Sequence, residues 1–102
     1  MNFYVYVLKS IGKKNVTYVG YTKDIKKRIL LHNTGKGAKF TRGRKWKLIY
    51  KEKYQSKNKA ISRESYIKKN RTFRNKIKYL YQRIYQFYYL IKKIFLKVML
   101  VL

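Results

Sequence analysis

Few side chains in this sequence could perform acid–base or metal chemistry. The chain has three carboxylates (Asp24, Glu52 and Glu64), one histidine (His32) and no cysteine. The absence of cysteine excludes disulfides, thiolate nucleophiles and cysteine zinc sites, and a single histidine excludes a histidine-rich metal site. A hydrolytic site built on these residues would depend on a hard cation with oxygen ligands, since Mg²⁺ often takes only one or two carboxylates.

The three carboxylates differ in how readily a structural role explains them. Asp24 precedes a predicted helix and can cap it. Glu52 lies between two lysines on a predicted strand, where ordinary pairing with those neighbours explains it. Glu64 is predicted on the inward face of a helix, which makes it the best metal-ligand candidate. An i,i+4 ion pair between Glu64 and Lys68 explains its position equally well.

A general base must come from His32 or from a tyrosine. A tyrosine, with an ordinary pKa of about 10, would serve only if nearby cations or a metal lowered that pKa. Tyr6 and Tyr18 lie on two strands predicted to pair, and can project from one sheet face if the register allows. Arg28 and Glu64 could approach such a pair. Ordinary sheet packing is the alternative explanation for each tyrosine.

The stretch from Thr17 to Ile29 organises these candidates. Its alternating pattern predicts a strand, followed by a turn and a helix. Gly20 allows a backbone geometry or a close approach that a side chain would block. On the helix, Arg28 and His32 share one face with an apolar stripe, a costly position unless an anionic or hydrogen-bonding group meets them.

The hydrophobic pattern places these residues on a small set of elements. Residues 2–9 and 16–21 are predicted to form an antiparallel hairpin around a polar turn at 10–15, and residues 47–54 a third strand. Helices are predicted from about residue 25 to Gly35, over 59–70 and over 72–81. We therefore expect an α+β domain over residues 1–82, with residues 83–102 as a separate, helical tail.

A glycine-containing basic loop, residues 36–46, follows the first predicted helix. Its glycines, cations and two aromatic residues are typical of a loop that grips phosphates or contacts bases. The alternative is a solvated surface loop whose Phe40 and Trp46 pack on the core. The predicted nucleic-acid contacts are Lys23, Lys36, Lys39, Phe40, Arg42 and Arg44.

The charge balance favours a polyanionic partner. The chain has 28 lysines and arginines against three acidic residues, a formal net charge of +25. Such a charge destabilises the isolated compact state and suits nucleic acid first and an anionic membrane second. Abundant Lys, Asn, Tyr and Ile also match the coding bias of an AT-rich genome, which would inflate the lysine count.

The C-terminal segment 84–102 differs from the rest of the chain. It has about the 17–25 residues of a membrane helix, but three lysines argue against spanning. An interfacial amphipathic helix, a helix docked on the domain or on a second subunit, and a segment without a selected role all remain open. The oligomeric state is therefore monomer or homodimer. The N-terminus lacks the pattern of a secretory signal, so we expect a cytoplasmic protein.

An ordered series of motifs extends over residues 2–80. It comprises Tyr4-Val5-Tyr6, Tyr18-Val19-Gly20, Tyr21-Thr22 followed by Arg28, Leu31-His32-Asn33, the loop Gly35-Lys36-Gly37-Ala38-Lys39-Phe40-Thr41, and Arg63-Glu64 with Ile67-Lys68-Lys69. In this series the chain resembles the GIY-YIG nuclease superfamily. It is most similar to small standalone bacterial proteins grouped with excision-repair and intron-encoded nucleases.

The resemblance implies a three-stranded antiparallel sheet flanked by helices, and Mg²⁺- or Mn²⁺-dependent cleavage of DNA, as in repair or recombination. It implies that Glu64 holds the metal and Arg28 stabilises the phosphate. Tyr18, or else Tyr6, would help to deprotonate the attacking water, with His32 as neighbour or alternative base. A catalytically weak module that binds nucleic acid is the alternative function.

The sequence departs from the family pattern at several places. Tyr4 replaces the glycine of the first triplet, and Tyr21 stands where some relatives carry a lysine, whose role would fall to Lys23 or another cation. The tail matches nothing in the family. No additional DNA-reading domain accompanies the motifs, so strong sequence specificity is not expected.

Overall fold

The computed structural model describes residues 1–12 and 15–101. Its three strands form one antiparallel sheet in the order β2-β1-β3. Three α-helices and a single 3₁₀ turn, Lys39–Thr41, complete this part of the chain. The α+β fold with a three-stranded antiparallel sheet and flanking helices is therefore confirmed. The elements are β1 (Phe3–Ser10), β2 (Thr17–Thr22), α1 (Ile25–Asn33), β3 (Trp46–Tyr54), α2 (Lys57–Lys69) and α3 (Arg71–Val101).

The central strand β1 separates two hydrophobic clusters. Its alternate residues Phe3, Val5 and Val7 pack with α2 and α3 on one face of the sheet. Tyr6 and Leu8 face the other side, where Trp46 and the apolar residues of α1 cover them. This alternation follows from the two-residue period of a strand.

The register of the β1–β2 hairpin decides where the two tyrosines point. Tyr6 pairs with Gly20 and Leu8 pairs with Tyr18. Tyr6 and Tyr18 are therefore diagonal neighbours on one face of the sheet, as predicted. The turn predicted over residues 10–15 includes Lys13 and Lys14, which lie outside the described residues.

The helix α1 begins and ends at the predicted signals. The side chain of Asp24 accepts a hydrogen bond from the backbone N–H of Lys27 at 3.1 Å, the usual geometry of an N-cap. Gly35 follows the helix with φ of 78°, a left-handed conformation that glycine adopts without strain. The caps fix where α1 begins and ends, and the packing of Ile25 and Ile29 against the sheet sets the side to which Arg28 and His32 point.

The helix α3 corrects the prediction of a helix at 72–81 followed by a separate segment. It runs without interruption from Arg71 to Val101. The chain contains no proline and no glycine falls in this range, so nothing breaks the helix between the two predicted segments. The predicted domain boundary at residues 82 and 83 lies inside it and stays a prediction. No helix in the described ranges is long and apolar enough to cross a membrane.

Candidate active site

Tyr6 reaches the candidate site through a space that Gly20 leaves open. The Tyr6 side chain is 1% exposed. A Cβ atom added at Gly20 would lie 2.5 Å from the Tyr6 hydroxyl oxygen and 2.7 Å from its Cζ. Any other residue at position 20 would therefore displace the ring. The close approach inferred from the sequence at Gly20 is the approach of this phenol.

His32 is fully buried and joins two elements through its two ring nitrogens. Its Nε2 lies 2.8 Å from the Tyr6 hydroxyl, and its Nδ1 lies 2.9 Å from the Thr41 hydroxyl. The Thr41 hydroxyl donates its single proton to the carbonyl of Ala38 at 2.9 Å. It can therefore only accept from His32, so Nδ1 carries the proton and Nε2 accepts from the Tyr6 O–H.

The protonation states of Tyr6 and His32 agree with this chain of hydrogen bonds. Burial, and then the nearby charge of Arg28, lower the pKa of His32. Burial raises the pKa of Tyr6 to about 12, against the opposing effect of a hydrogen bond with Arg28. At neutral pH, Tyr6 is therefore a neutral phenol that donates to a neutral imidazole.

Arg28 projects from α1 beside this pair. Hydrogen bonding to Tyr6 raises the pKa of its guanidinium, which stays charged. Its Nε is buried and has no hydrogen-bond partner in the described part of the chain. An unsatisfied buried donor is costly, and an anion that accepts from it would remove that cost. Arg28 is therefore placed to receive an anionic group.

Tyr18 is more accessible than Tyr6 and borders a cavity. Its ring centroid lies 4.8 Å from that of His32 and 6.3 Å from that of Phe40, against which it stacks. The cavity has a volume of about 230 Å³ and lies at the edge of the sheet formed by β2, here called the β2 edge. Two cations line it with Tyr18: Lys68 from α2 and Arg74 from α3.

Glu64 approaches from α2, on the other side of the sheet. Its side chain is 16% exposed and pairs with the ammonium of Lys68 at 2.8 Å, so the predicted i,i+4 ion pair is present. The charge of Glu64 makes a contribution to the raised pKa of Tyr6 that is smaller than that of burial. Both roles considered for Glu64, metal ligand and ion-pair partner of Lys68, are thus compatible with its position.

The donor set suits a metal that keeps most of its own water. The described residues contain no cluster of three or more histidine, cysteine, aspartate or glutamate side chains. Glu64 alone offers a carboxylate here, and it would have to exchange its contact with Lys68. A hard cation bound by one carboxylate, waters and phosphate oxygens fits this site, whereas a soft or fully protein-bound metal does not.

The basic loop combines both predicted alternatives. Trp46 is buried, and its indole N–H donates to the Thr41 carbonyl at 3.0 Å, so this aromatic packs on the core. Phe40 is 53% exposed and lies against the guanidinium of Arg44, 5.2 Å from the ring centroid. The loop also leaves four cations exposed to solvent: Lys36, Lys39, Arg42 and Lys45.

Lys23 lies apart from the other predicted nucleic-acid contacts. Its ammonium is 5.6 Å from the ring centroid of Phe3. It borders a different cavity, together with Tyr4 and Lys51, at the opposite end of β1 from the Trp46 pairing. The structure therefore does not bring Lys23 to the cavity that Tyr18 lines.

The structure corrects the prediction that Glu52 pairs with its lysine neighbours on the strand. Its carboxylate binds the guanidinium of Arg63 through two bonds of 2.8 and 2.9 Å. The hydroxyls of Tyr50 and Tyr54 also donate to it. The neighbouring lysines point to the other face because side chains alternate along a strand.

Sequence reasoning missed Thr41, which orients His32, and Gly37, which makes room for it. A Cβ at Gly37 would lie 2.8 Å from Cγ of His32. In the sequence, the glycines and the threonine of this loop stand out only as part of a family motif. The direct contact of both with His32 depends on the folded path of the loop.

The fold and the site together define a small α+β protein in which Tyr6, His32 and Arg28 meet on the face of the sheet that α1 covers, while Glu64 approaches from α2 on the other face. Residues 2–78 match the family model described as the GIY-YIG catalytic domain, and the chain belongs to this family. Such a domain suggests a nuclease-type function, interaction with nucleic acid, and the divalent metal that these nucleases generally use.

Similar proteins cover the same part of the chain. UPF0213 proteins of Streptococcus pyogenes serotypes M3 and M1 are each 46% identical over 78 residues, which cover 76% of this chain and 83% of theirs. The solution NMR structure of the UPF0213 protein BH0048 from Bacillus halodurans is 39% identical. It covers 78% of this chain and 85% of its own, with a TM-score of 0.48.

Proposed function

We propose that this protein is a metal-dependent endonuclease that hydrolyses phosphodiester bonds in DNA. The observation that carries the proposal is the buried Nε of Arg28, which has no partner among the residues that the structure describes, beside the hydrogen-bonded pair of Tyr6 and His32. A guanidinium held in this way is preorganised for an anion whose charge grows during the reaction. A phosphate oxygen is the natural acceptor.

Arg28 would bind and stabilise the scissile phosphate. Because Tyr6 hydrogen-bonds to both Arg28 and His32, the buried phenol would hold the guanidinium in one orientation. A fixed donor needs little reorganisation when the transition state forms. Tyr6 and His32 therefore support the phosphate site in this proposal.

Tyr18 is the better candidate to help deprotonate the attacking water. It is only partly buried and borders the open cavity, whereas Tyr6 is buried with a pKa of about 12. The cations Lys68 and Arg74 that line this cavity would attract a phosphate towards Tyr18. Both ring nitrogens of His32 are already hydrogen-bonded, so His32 would act by orienting Tyr6. It could serve as a base only if bound substrate changed these hydrogen bonds.

Glu64 would hold the Mg²⁺ or Mn²⁺ ion. The bound ion would supply charge stabilisation at the phosphate and activate water. Lys68, released from its ion pair with Glu64, would then be free to contact another phosphate. This exchange needs no backbone movement, because the two residues lie one turn apart on α2.

The exposed cations of the basic loop support a nucleic-acid substrate, with DNA preferred over RNA by family resemblance. Phosphate contacts from flexible cations position a substrate without reading its sequence. We therefore propose cleavage with little sequence preference, in DNA repair or recombination. The proposed contacts are Lys36, Lys39, Phe40, Arg42 and Arg44, with Lys23 as a more distant one.

A nicking assay tests this function. Supercoiled plasmid and branched DNA are incubated with the protein and Mg²⁺ or Mn²⁺, beside the variants Glu64→Gln and Arg28→Ala. Each variant should lower the rate by about 10²-fold or more, the usual cost of losing one group that stabilises transition-state charge. Arg83→Ala, which removes an equal charge from an exposed position on α3, is the matched control and should retain activity.

Two outcomes would overturn the proposal. Equal nicking by the wild type and both site variants would assign the activity to a contaminant. Tight, salt-dependent binding of DNA by the wild type, with no turnover in either metal, would instead identify a binding module that has lost catalysis. Melting curves of each variant separate a lost reaction from a lost fold.

A further inference from the structure

The second half of α3 exposes a continuous apolar surface. From Gln82 to Val101 every side chain is exposed, and only Ile77, in the first half, is buried. A stretch so apolar and so uncovered is unusual, because large exposed apolar patches generally mark an interaction site. Its large apolar members are Ile84, Phe87, Tyr88, Leu90, Ile91, Ile94, Phe95, Leu96, Val98, Met99, Leu100 and Val101.

Helical spacing sorts this surface into two sides. At 3.6 residues per turn, Phe87, Ile91 and Phe95 follow one another along a single side. These three are 65%, 50% and 61% exposed. The opposite side carries Gln82, Gln86, Lys93 and Lys97, with Leu96 and Leu100 as the apolar residues among them. This half of α3 is therefore an amphipathic helix with a cationic polar side.

Among the described residues, the contacts that anchor this helix to the domain lie at its beginning. The core cluster beneath α2 includes Ile77 and Phe73. The ammonium of Lys47 on β3 lies 5.0 Å from the ring centroid of Tyr81 and 5.5 Å from that of Tyr85. Beyond Tyr85 the helix has room for a partner along its whole apolar side. A partner could bind there without displacing any part of the core.

The charge of the chain decides which partner is complementary. Glu64 is the last acidic residue, so α3 contains cations alone among its charged side chains. A second copy of the chain would bring a net charge of +25 against an equal charge. An anionic lipid surface instead attracts each lysine and accepts the apolar side.

We propose that the second half of α3, from Ile84 to Val101, binds the interfacial region of phospholipid membranes with anionic headgroups. The side carrying Phe87, Ile91 and Phe95 enters the boundary between headgroups and acyl chains. Lys93 and Lys97 face the headgroups, and Lys92, at the border between the two sides, reaches them by extending its long side chain. The helix lies along the surface, which agrees with the finding that none of the described helices could span a membrane.

Co-sedimentation with vesicles tests this proposal on the full chain. Vesicles of phosphatidylcholine with 30% phosphatidylserine are compared with pure phosphatidylcholine at fixed salt. The variant Phe87→Ser, Ile91→Ser, Phe95→Ser keeps every charge and should lower partitioning into the anionic vesicles about tenfold or more. The matched control Gln82→Ser, Gln86→Ser, Tyr89→Ser changes three residues on or beside the polar side and should bind like the wild type.

Charge is tested separately from apolar contact. Replacing Lys92, Lys93 and Lys97 by glutamine should lower partitioning into the anionic vesicles about fivefold per lysine and leave binding to neutral vesicles unchanged. Circular dichroism of each variant establishes that α3 remains helical. These measurements require no nuclease activity, so they stand or fall independently of the proposed reaction.

Two results would overturn the proposal. Equal vesicle binding by the wild type and the apolar-side variant would mean that the overall positive field binds the lipid and that α3 has no particular part. Absence of lipid binding together with a dimer in light scattering, lost in the apolar-side variant, would identify a second copy as the partner.

Discussion

At the residue scale, the site depends on one histidine whose two nitrogens have different tasks. Thr41 accepts from Nδ1 of His32, and Tyr6 donates to Nε2. The assignment follows from counting protons, because the Thr41 hydroxyl has already given its own to Ala38. A neutral imidazole with a fixed tautomer holds Tyr6 rigidly, which a charged or rotating imidazole would not.

The single histidine makes this arrangement directly measurable. In ¹⁵N-labelled protein, the resonances of the one imidazole should report the Nδ1–H tautomer and a pKa below the ordinary value of about 6.5. Stability should accordingly fall as the pH drops below about 6.5, because the unfolded chain then takes up a proton that the folded chain refuses. Thr41→Val removes the acceptor and should weaken the tautomer preference, whereas Thr72→Val, on the exposed start of α3, should not. A pKa at or above 6.5, or the Nε2–H tautomer, would contradict the assignment.

Some of these residues could be predicted from sequence and some could not, for a physical reason. Gly20, Asp24 and the shared face of Tyr6 and Tyr18 follow from local rules of strands and caps, and the structure confirms them. Thr41 contacts His32 only because the loop folds back across α1, and no spacing in the sequence encodes that path. Pairing between side chains far apart in the sequence, such as Glu52 with Arg63, likewise leaves no pattern in the sequence.

At the element scale, α2 is fixed to the sheet by an ionic clamp next to the proposed metal ligand. Arg63 binds Glu52 of β3 through two bonds, and its guanidinium also lies 5.0 Å from the ring centroids of Tyr66 and Phe73. Glu64 is the next residue on α2. The clamp therefore limits how far α2 can rotate or slide, and with it the position of the Glu64 carboxylate.

Breaking the clamp should destabilise the fold in a pH-dependent way. Glu52→Gln should lower the free energy of unfolding by about 1–3 kcal/mol at neutral pH, since Arg63 loses a charged acceptor. Burial alone would raise the pKa of Glu52, but the hydrogen bonds from Arg63, Tyr50 and Tyr54 outweigh it and lower that pKa. The stabilisation is thus present above the unfolded-state pKa of about 4.3 and is lost as the pH falls through the lower folded-state value.

Urea titrations from neutral to acidic pH measure this effect. The difference between the wild type and Glu52→Gln should shrink as the pH is lowered. Lys53→Gln, an exposed change on the same strand, should alter the free energy of unfolding by less than about 0.5 kcal/mol. A difference that stays constant over the whole pH range would show that ionisation of Glu52 has no part in it.

At the scale of the whole molecule, the net charge acts at every surface, whereas the elongated shape comes from α3. The chain spans 54 × 30 × 28 Å, and α3, about 46 Å long at 1.5 Å per residue, accounts for the long dimension. The net charge of +25 attracts polyanions to every surface, so attraction alone cannot direct DNA to the β2 edge. Direction must come from cations close to the site: Lys68 and Arg74 line the cavity, and the basic loop reaches it through Phe40.

The dependence of DNA binding on salt distinguishes these two contributions. With Glu64→Gln to prevent cleavage, affinity for a short duplex should fall steeply between 50 and 200 mM salt, by about 10³–10⁵ if six to ten phosphates are contacted. Neutralising the loop should reduce the slope of log affinity against log salt by about 0.9 for each phosphate contact that is lost.

The loop variant replaces Lys36, Lys39, Arg42 and Arg44 by glutamine. The matched control replaces four lysines on β3 and at the start of α2: Lys51, Lys53, Lys57 and Lys59. Because both variants remove four charges, any larger change in slope for the loop variant measures direct contact by the loop. Identical slopes for the two would assign binding to the overall field and would remove the loop from the proposed DNA interface.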